Sequence, residues 1–242
     1  MSRDDDDDRG GMVGAPHGRR RETTRTVVEL TGPAGAGKTT LARALRDADP
    51  ASSVELSGGR SQIARGLALM APTLAAARVS APGRFWSTDE LRSFAYLAAW
   101  RPQVRARQHG LTVLDHGPVF RLTVLAAYGP PMAHSSAFQR RWYRLAEQWG
   151  RLLDVVVWLD APDDVLRGRI TDRNRQHRIR GAAQAETETF LARYRAAYRT
   201  TIATVTGEGA RLVELDTAEC APEQLADAVR AAVLCTPSRR SP

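Results

Sequence analysis

The stretch "TVVELTGPAGAGKTTLARAL", residues 26–45, decides the fold. Its first part, "TVVEL" (26–30), has the composition of a buried strand, and "TTLARALRDA" (39–48) has the apolar spacing of a helix. Between them, "GPAGAGKT" matches the pattern G-x-x-x-x-G-K-[ST]. A glycine-rich loop between a buried strand and a helix is typical of a phosphate-binding loop, or P-loop, so we predict nucleotide binding here.

The residue types in this loop suit the phosphates of a nucleotide. Glycines let backbone N–H groups point inward at an anion, and the positive end of the following helix adds to their attraction. A lysine ammonium then reaches the β- and γ-phosphates, and a hydroxyl next to it is a ligand for Mg²⁺. We therefore expect ATP and Mg²⁺ as cofactors, held by the loop residues Gly32, Ala34, Gly35, Ala36, Gly37, Lys38, Thr39 and Thr40.

Beyond the loop, short β-rich runs alternate with helical periods, which is typical of βαβ units and a parallel sheet. Strands are predicted at 26–30, 53–56, 111–115, 155–160 and 211–216. We therefore predict the α/β fold class, with three α/β/α layers similar to a P-loop NTPase, a five-stranded parallel sheet and an arginine-rich lid. The predicted domain covers 25–235, after a leader at 1–24 and before a tail at 236–242.

The leader has five consecutive aspartates, then glycine, proline and an arginine cluster, with no apolar period. This composition predicts a disordered segment. A partner-binding role for it remains an alternative, and Met12 as the true start remains open. The tail has a similar composition and is expected to be flexible.

Composition excludes several classes of protein. No run approaches 18 apolar residues, so we expect no membrane span, and the two cysteines show neither metal spacing nor a disulfide framework. Both features favour a cytoplasmic location. The net charge of +8 suggests nucleic acid, but 34 of the 35 basic residues are arginines spread along the chain without interleaved aromatics. We therefore expect no nucleic-acid partner.

Two aspartates follow predicted strands at the edge where α/β sheets bind ligands. Asp115 precedes a His-Gly-Pro turn, which suits a residue that organises Mg²⁺ or the attacking oxygen. Asp160 precedes "APDD", which has the composition of a helix start. We therefore assign chemistry and metal binding to Asp115, with Thr39 as the second metal ligand, and capping to Asp160.

The segment "RGRITDRNRQHRIRG" (167–181) has six arginines in fifteen residues. Arg169 and Arg173 repel each other at i,i+4 on a helix, which makes the segment a poor surface helix. Arginines that close over a transferring phosphoryl group neutralise the charge that develops there. We therefore predict a lid at about 163–184, with Gly181 as a hinge and with Arg169 and Arg173 in catalytic roles beside Lys38 and Asp115.

On these motifs the span 26–234 resembles P-loop kinases of small molecules, in the thymidylate-kinase and nucleoside-kinase group. More specific than the P-loop are "FAYLAAWRPQV" (94–104) and "HGLTVLDHGPVFRLTVLAAYG" (109–129), which are similar to the thymidylate-kinase helix and Asp-Arg-Tyr strand end. The resemblance implies that Arg101 faces the phosphate acceptor, with Tyr96 and His116 as further acceptor contacts. It also implies that "VELDTAECAPEQLADAV" (213–229) packs near the adenine ring.

The chain departs from this family at two places. His116 stands where the family has arginine, and "ELSGG" (55–59) stands where it has Arg-Glu-Pro-Gly-Gly. Both losses make an uncharged hydroxyl acceptor as plausible as a nucleoside monophosphate. They also leave open whether Asp115 or Glu55 is the general base.

These observations predict an ATP-dependent phosphotransferase that moves the γ-phosphate of Mg-ATP to a small-molecule acceptor, which is nucleoside- or nucleotide-like or another hydroxyl metabolite. Two alternatives remain: a regulatory P-loop ATPase that signals through a protein partner, and a nucleic-acid-end kinase. The identity of the acceptor remains open, as does the choice between a monomer and a homodimer.

Overall fold

The computed structural model describes residues 25–48, 59–80, 86–107, 109–172 and 181–235. The strands within these ranges are β1 (Thr26–Thr31), β2 (Leu111–Asp115), β3 (Val155–Asp160) and β4 (Arg211–Asp216). The α-helices there are α1 (Lys38–Ala48), α2 (Arg60–Ser80), α3 (Thr88–Ala106), α4 (Pro118–Tyr128), α5 (Ser136–Gly150), α6 (Asp163–Asp172), α7 (Gln184–Gly207) and α8 (Pro222–Leu234).

The four strands form one parallel sheet in the order β2-β1-β3-β4. Leu30 of β1 is in register with Asp115 of β2, and Asp160 of β3 is in register with Asp216 of β4. The carboxyl ends of all four strands therefore meet at one edge. Because the P-loop follows β1, which lies between β2 and β3, it lies beside both Asp115 and Asp160.

The α/β class and the parallel sheet are confirmed, but the number of strands differs from the prediction. In the part of the chain that the structure describes, the sheet has four strands and not five. The fifth predicted strand, 53–56, lies outside the described residues. It was a run of only four residues, which is too short for its pattern to specify a strand. The predicted lid is only partly described, since 163–172 forms α6 and 173–180 lies outside the described residues.

Helices cover both faces of the sheet because side chains alternate along each strand. Val27 and Val156 point to one face, where α3, α4, α5 and the second half of α7 bury their apolar sides. Val28 and Val157 point to the other face, where α1 and α8 pack. This arrangement gives the three α/β/α layers.

The apolar face of α5, which carries two tryptophans, lies in the core. Phe138, Trp142, Leu145 and Trp149 are all buried. The two indole N–H groups donate to backbone carbonyls, Trp142 to Leu122 at 2.8 Å and Trp149 to Leu97 at 3.1 Å. Each tryptophan therefore joins α5 to a neighbouring helix without leaving a buried donor unpaired.

Helix α3 begins with a capping box and continues past its proline. The Ser87 side chain accepts the N–H of Glu90, and the Glu90 carboxylate accepts the N–H of Ser87, so both halves of the capping box are present. Pro102 does not end the helix. The Gln103 side chain donates to the Ala99 carbonyl at 3.2 Å, which adds a hydrogen bond beside the proline. Within the described ranges, no helix combines the length and the apolarity needed to cross a membrane.

Two helical glycines provide a matched test of how closely α2 and α3 pack. A Cβ on Gly66 of α2 would lie 2.2 Å from the Ala95 carbonyl oxygen of α3, whereas a Cβ on Gly168 of α6 would meet nothing within 4 Å. We expect Gly66→Ala to lower the free energy of unfolding by about 1–3 kcal/mol, since the backbones must separate. Gly168→Ala should raise it by about 0.5–1 kcal/mol through helix propensity. Urea unfolding followed by circular dichroism measures both, and shifts of the same sign would contradict this packing.

Candidate active site

The P-loop backbone takes up conformations that only glycine tolerates easily. Gly32, Gly35 and Gly37 have φ values of +144°, +86° and +83°. At Gly32 there is also no room, because a Cβ would lie 2.0 Å from the Leu159 carbonyl oxygen of β3. The sequence pattern therefore follows from backbone strain at three positions and from contact with the neighbouring strand at one of them.

Lys38 and Thr39 begin α1 and bring the two polar groups of the loop to the sheet edge. The Lys38 ammonium donates to the carbonyls of Gly32 at 2.8 Å and Pro33 at 2.9 Å, so it lies along the loop. The Thr39 hydroxyl donates to the Asp115 carboxylate at 3.0 Å. The structure therefore brings together the loop and the strand-end carboxylate that were predicted from separate parts of the sequence.

Asp115 stays ionised although it is half-buried. Burial acts to raise the pKa of this carboxyl, but the nearby His116 imidazole, the hydrogen bond from Thr39 and the charge of Lys38 outweigh burial and lower it. The His116 ring nitrogen Nδ1 lies 3.0 Å from Asp115 Oδ1. A carboxylate with a lowered pKa suits metal binding or hydrogen bonding to an acceptor hydroxyl better than it suits proton abstraction.

The turn after Asp115 is held from below by Glu29, which lies in the middle of β1. Glu29 is 0% exposed, and its carboxyl oxygens accept the N–H groups of Val119 at 2.9 Å and Phe120 at 3.0 Å. These are the first N–H groups of α4, whose own N-cap, Gly117, supplies no side chain. Glu29 therefore caps α4 from another element.

The same contact explains two further residues of the turn. A Cβ on Gly117 would lie 2.8 Å from the Glu29 carboxyl carbon, so only glycine fits there. His116 has φ +58°, which makes it the one non-glycine residue with positive φ in the described ranges. This left-handed conformation turns the chain sharply between the end of β2 and the capped start of α4.

Helix α7 ties the P-loop to the end of β3. The Tyr194 hydroxyl donates to the Gly32 carbonyl at 3.1 Å, and Arg195 pairs with Asp160 at 2.7 Å and Asp163 at 2.6 Å. The assignment of Asp160 as the cap of α6 is therefore corrected. The first turn of α6 closes on the carbonyl of Pro162, and the Asp160 carboxylate instead anchors Arg195.

A cavity of about 350 Å³ adjoins the P-loop on the side of α6 and α8. Its lining includes Gly35, Gly37, Thr40, Arg169, Thr217, Cys220 and Leu225. The Arg169 guanidinium donates to the Thr217 hydroxyl at 2.9 Å and to its carbonyl at 2.6 Å. Arg169 is thus held against the loop after β4, beside a space suited to a nucleotide base, and its catalytic role remains a prediction.

An arginine of α4 lies over a pair of stacked aromatic rings of α3. Tyr96 and Trp100 stack with ring centroids 4.7 Å apart, and the Arg121 Cζ lies 4.4 Å from the Tyr96 centroid and 4.7 Å from that of Trp100. Arg121 also donates to the Ser93 hydroxyl at 3.3 Å. Arg121 therefore joins α4 to Ser93, Tyr96 and Trp100 of α3.

Of the remaining predicted site residues, only Arg101 lies among the described residues. Arg101 has Arg105 and Arg141 as its charged neighbours, and its pKa is lowered by burial and by both cations. Arg173, a predicted lid arginine, and Glu55, the alternative base, lie outside the described residues.

Three residues of the site were missed from the sequence: Glu29, Arg121 and Tyr194. Glu29 interrupts the apolar run "TVVEL", which was a detectable signal, since a carboxyl in a buried strand must find partners. Arg121 lies six residues after Asp115 in the same motif. Tyr194 carries no local signal, because only the packing of α7 brings it to the P-loop.

The residues present fit Mg²⁺ bound together with a nucleotide. Among the described residues no group of three or more His, Cys, Asp or Glu could hold a metal ion. Mg²⁺ in phosphoryl-transfer sites needs only one or two protein oxygens besides phosphate oxygens and water. The Thr39 hydroxyl and the Asp115 carboxylate, already 3.0 Å apart, are two such oxygens.

A family model described as an AAA domain (AAA_33) matches residues 27–199. A comparison with curated protein sequences finds no match. Among solved structures, thymidylate kinase from Candida albicans aligns with a TM-score of 0.51 and 13% identity, over 87% of this chain and 92% of the kinase. This likeness shows that the two chains share a fold.

Two further solved structures align less closely. Shikimate kinase from Acinetobacter baumannii has a TM-score of 0.45 and 16% identity over 88% of this chain and 94% of its own. Deoxyadenosine kinase from M. mycoides with bound dATP has a TM-score of 0.49 and 13% identity over 86% of this chain and 99% of its own.

Burial and hydrogen bonding act in opposite directions on Glu29. Burial raises its pKa to about 8, while the N–H groups of Val119 and Phe120 and the charge of Arg121 lower it, and nearby Asp115 adds a smaller increase. Since burial dominates, the carboxyl is neutral in the folded protein at pH 7. In the unfolded chain it ionises near 4.5.

Because the folded pKa is raised, the stability that Glu29 contributes is fully present below pH 4.5 and is lost as the pH rises through about 8. We expect the free energy of unfolding of the wild type, relative to Glu29→Gln, to fall by about 1 kcal/mol per pH unit between these values. Urea unfolding at half-unit pH intervals measures this difference. The exposed Glu186→Gln is the control, and a difference from Glu29→Gln that stays constant with pH would contradict the prediction.

Proposed function

Because the chain belongs to the AAA domain family and has a P-loop kinase fold, we propose that it transfers the γ-phosphate of Mg-ATP to a small acceptor. The observation that carries this proposal is the 3.0 Å hydrogen bond between the Thr39 hydroxyl and the Asp115 carboxylate. Phosphate binding by the loop accounts for the presence of Thr39 but not for the carboxylate beside it. The carboxylate beside it adds a group that can help to hold Mg²⁺ and orient an attacking oxygen.

The donor nucleotide would lie between the P-loop and the loop after β4. The backbone N–H groups of 32–39 face the phosphates, and Lys38 exchanges its two carbonyl partners for phosphate oxygens. The cavity of about 350 Å³ then receives the base, with Arg169 and Thr217 along its wall. Mg²⁺ supplies positive charge that neutralises the transferring phosphoryl group. Asp115 and Thr39 are the protein groups that would hold it.

The acceptor would lie on the opposite side of Asp115, where α3 and α4 meet. Tyr96, His116 and Arg121 line this side, and the Arg121 guanidinium is largely removed from water. Glu29 is the acid whose negative charge would act on Arg121, but it is neutral at pH 7 because burial raises its pKa. An uncompensated arginine favours an acceptor with a phosphate, carboxylate or other electronegative group. It offers a substitute for the arginine that this chain lacks at position 116.

One assay separates this proposal from a regulatory ATPase and from a nucleic-acid-end kinase. ADP release from Mg-ATP is measured with nucleosides, nucleoside monophosphates, hydroxy acids and a 5′-hydroxyl oligonucleotide as acceptors. Stimulation by a small molecule supports the proposal. Slow hydrolysis that no acceptor changes would favour a regulatory ATPase, and stimulation by the oligonucleotide alone would favour the end kinase.

One prediction of the proposed function concerns the donor side of the site. Lys38→Ala should lower kcat at least about 100-fold, since it removes a preorganised positive charge from the γ-phosphate. Asp115→Asn should lower kcat with little change in the KM for ATP, because it acts on the metal and the acceptor oxygen. Circular dichroism establishes that both variants fold. Near-normal kcat in both would overturn the assignment.

Another prediction of the proposed function concerns the acceptor side of the site. Arg121→Gln should raise the KM for the acceptor about 10-fold or more and leave the KM for ATP nearly unchanged, because it removes a charge-assisted hydrogen bond. Arg121→Lys should restore little, since an ammonium does not stack on Tyr96 and Trp100 as a guanidinium does. Arg92→Gln, an exposed arginine on the same helix as Tyr96, is the control. An equal rise in both KM values would count against an acceptor role.

A further inference from the structure

Four arginines gather on α3 and α5 without an acidic partner. Arg101 and Arg105 lie one turn apart on α3, and Arg141 and Arg144 lie one turn apart on α5. The charges of Arg105 and Arg141 act on Arg101, and that of Arg144 acts on Arg141, so the four form one group. We call it the arginine cluster. No carboxylate pairs with any of its members in the described part of the chain.

Two members of the cluster are also partly removed from water. The Nε atoms of Arg101 and Arg141 are buried and have no hydrogen-bond partner among the described residues. Among the residues that the structure describes, Arg141 has one polar contact, with the Met70 sulfur at 3.6 Å, which is a weak acceptor. Like charges that are desolvated and unpaired destabilise a fold unless an anion compensates them. The cluster therefore fits a partner that carries several negative charges.

The cluster lies away from the P-loop, so the donor phosphates do not supply this partner. Arg25 donates to the Val104 carbonyl at 3.3 Å, which places the end of α3, next to Arg105, beside the start of β1. The P-loop follows the other end of that strand, six residues or about 20 Å away. Arg107, two residues beyond Arg105, has a buried and unpartnered Nε as well, which adds to the positive charge at this end.

The chain itself contains a run of complementary charge close by. The leader has five consecutive aspartates at 4–8 and joins the described part of the chain at Arg25. From Asp8 to Arg25 there are 17 residues, and an unconstrained chain of that length spans roughly 20–25 Å on average. Since Arg25 already contacts the end of α3, the aspartates are within reach of the cluster at a high effective concentration.

We propose that the arginine cluster binds the acidic run at 4–8 of the same chain. The five carboxylates compensate the four guanidinium groups, and the leader lies against the α3–α5 surface. A free polyanion would have to compete with a segment that is covalently attached, which favours the leader as the occupant. The interaction is electrostatic, so it weakens as salt rises.

A double-mutant cycle on the full chain tests this pairing. One change is Asp→Asn at all of 4–8, and the other is Arg101→Gln with Arg141→Gln. At low salt the leader change alone should lower the Tm by about 2–4 °C, and 0.5 M NaCl should remove most of that effect. In the arginine variant the leader change should lower the Tm by about half as much or less, because two of the four partners are gone.

Two control variants keep the test decisive. If Arg101→Gln with Arg141→Gln does not fold, Arg105→Gln with Arg144→Gln serves instead, because both side chains are exposed. Arg92→Gln with Arg230→Gln removes two arginines that already pair with Asp89 and Asp227. In that background the leader change should keep its full effect. An equal effect of the leader change in every background would overturn the proposal.

A spin label locates the leader directly. It is attached at Ser2→Cys, with Cys220→Ser and Cys235→Ser so that no other thiol reacts. At low salt it should broaden the amide signals of Ala106 and Arg107, and high salt should restore them. Broadening only when a labelled chain is mixed with an isotope-labelled second chain would overturn the intramolecular pairing. The proposal would also be overturned if a single-stranded oligonucleotide bound the wild type and the leader variant with equal affinity, because the leader would then not be covering the cluster.

Discussion

The buried carboxyl of Glu29 joins the three parts from which the site is built. It projects from β1, the strand that leads into the P-loop, and accepts the first N–H groups of α4. Those N–H groups follow the turn that contains Asp115 and His116. Because a strand is rigid, the cap fixes α4 and its preceding turn relative to the loop. The Thr39–Asp115 distance of 3.0 Å depends on that geometry.

A second constraint acts on the other side of the P-loop, where α7 contacts it. Tyr194 bonds the Gly32 carbonyl, and one turn later Tyr198 stacks on Tyr194 with ring centroids 4.5 Å apart. Between them, Arg195 binds the carboxylates at the end of β3 and the start of α6. The loop is therefore supported both by its own glycines and by a helix from far along the chain. A movement of α7 would therefore displace the Gly32 carbonyl or break its hydrogen bond with Tyr194.

The role of each arginine in this chain depends on the groups that surround its guanidinium. Arg195 is matched by two aspartates, and Arg169 is held by a threonine hydroxyl and a carbonyl. Arg121 is stabilised by two aromatic faces. The arginine cluster, by contrast, has no such partner among the described residues. The bulk charge of +8 therefore says little about function until the partner of each guanidinium is known.

The sequence by itself determined the local features. The spacing of Gly32, Gly37, Lys38 and Thr39 identified the P-loop, because backbone strain permits few other residues there. Strand and helix periods identified the α/β class. Asp115 was found because it ends a predicted strand. Each of these signals is contained in a few consecutive residues.

Only the tertiary structure decided which distant residues meet. Glu29 and Val119 are 90 residues apart, and Tyr194 and Gly32 are 162 apart. No local pattern encodes such pairs. The same reason explains the correction of Asp160, which has the sequence context of a helix cap but binds Arg195 because α7 packs beside it. Local motifs can be identified from consecutive residues, whereas the partners of buried charges depend on how helices pack on the sheet.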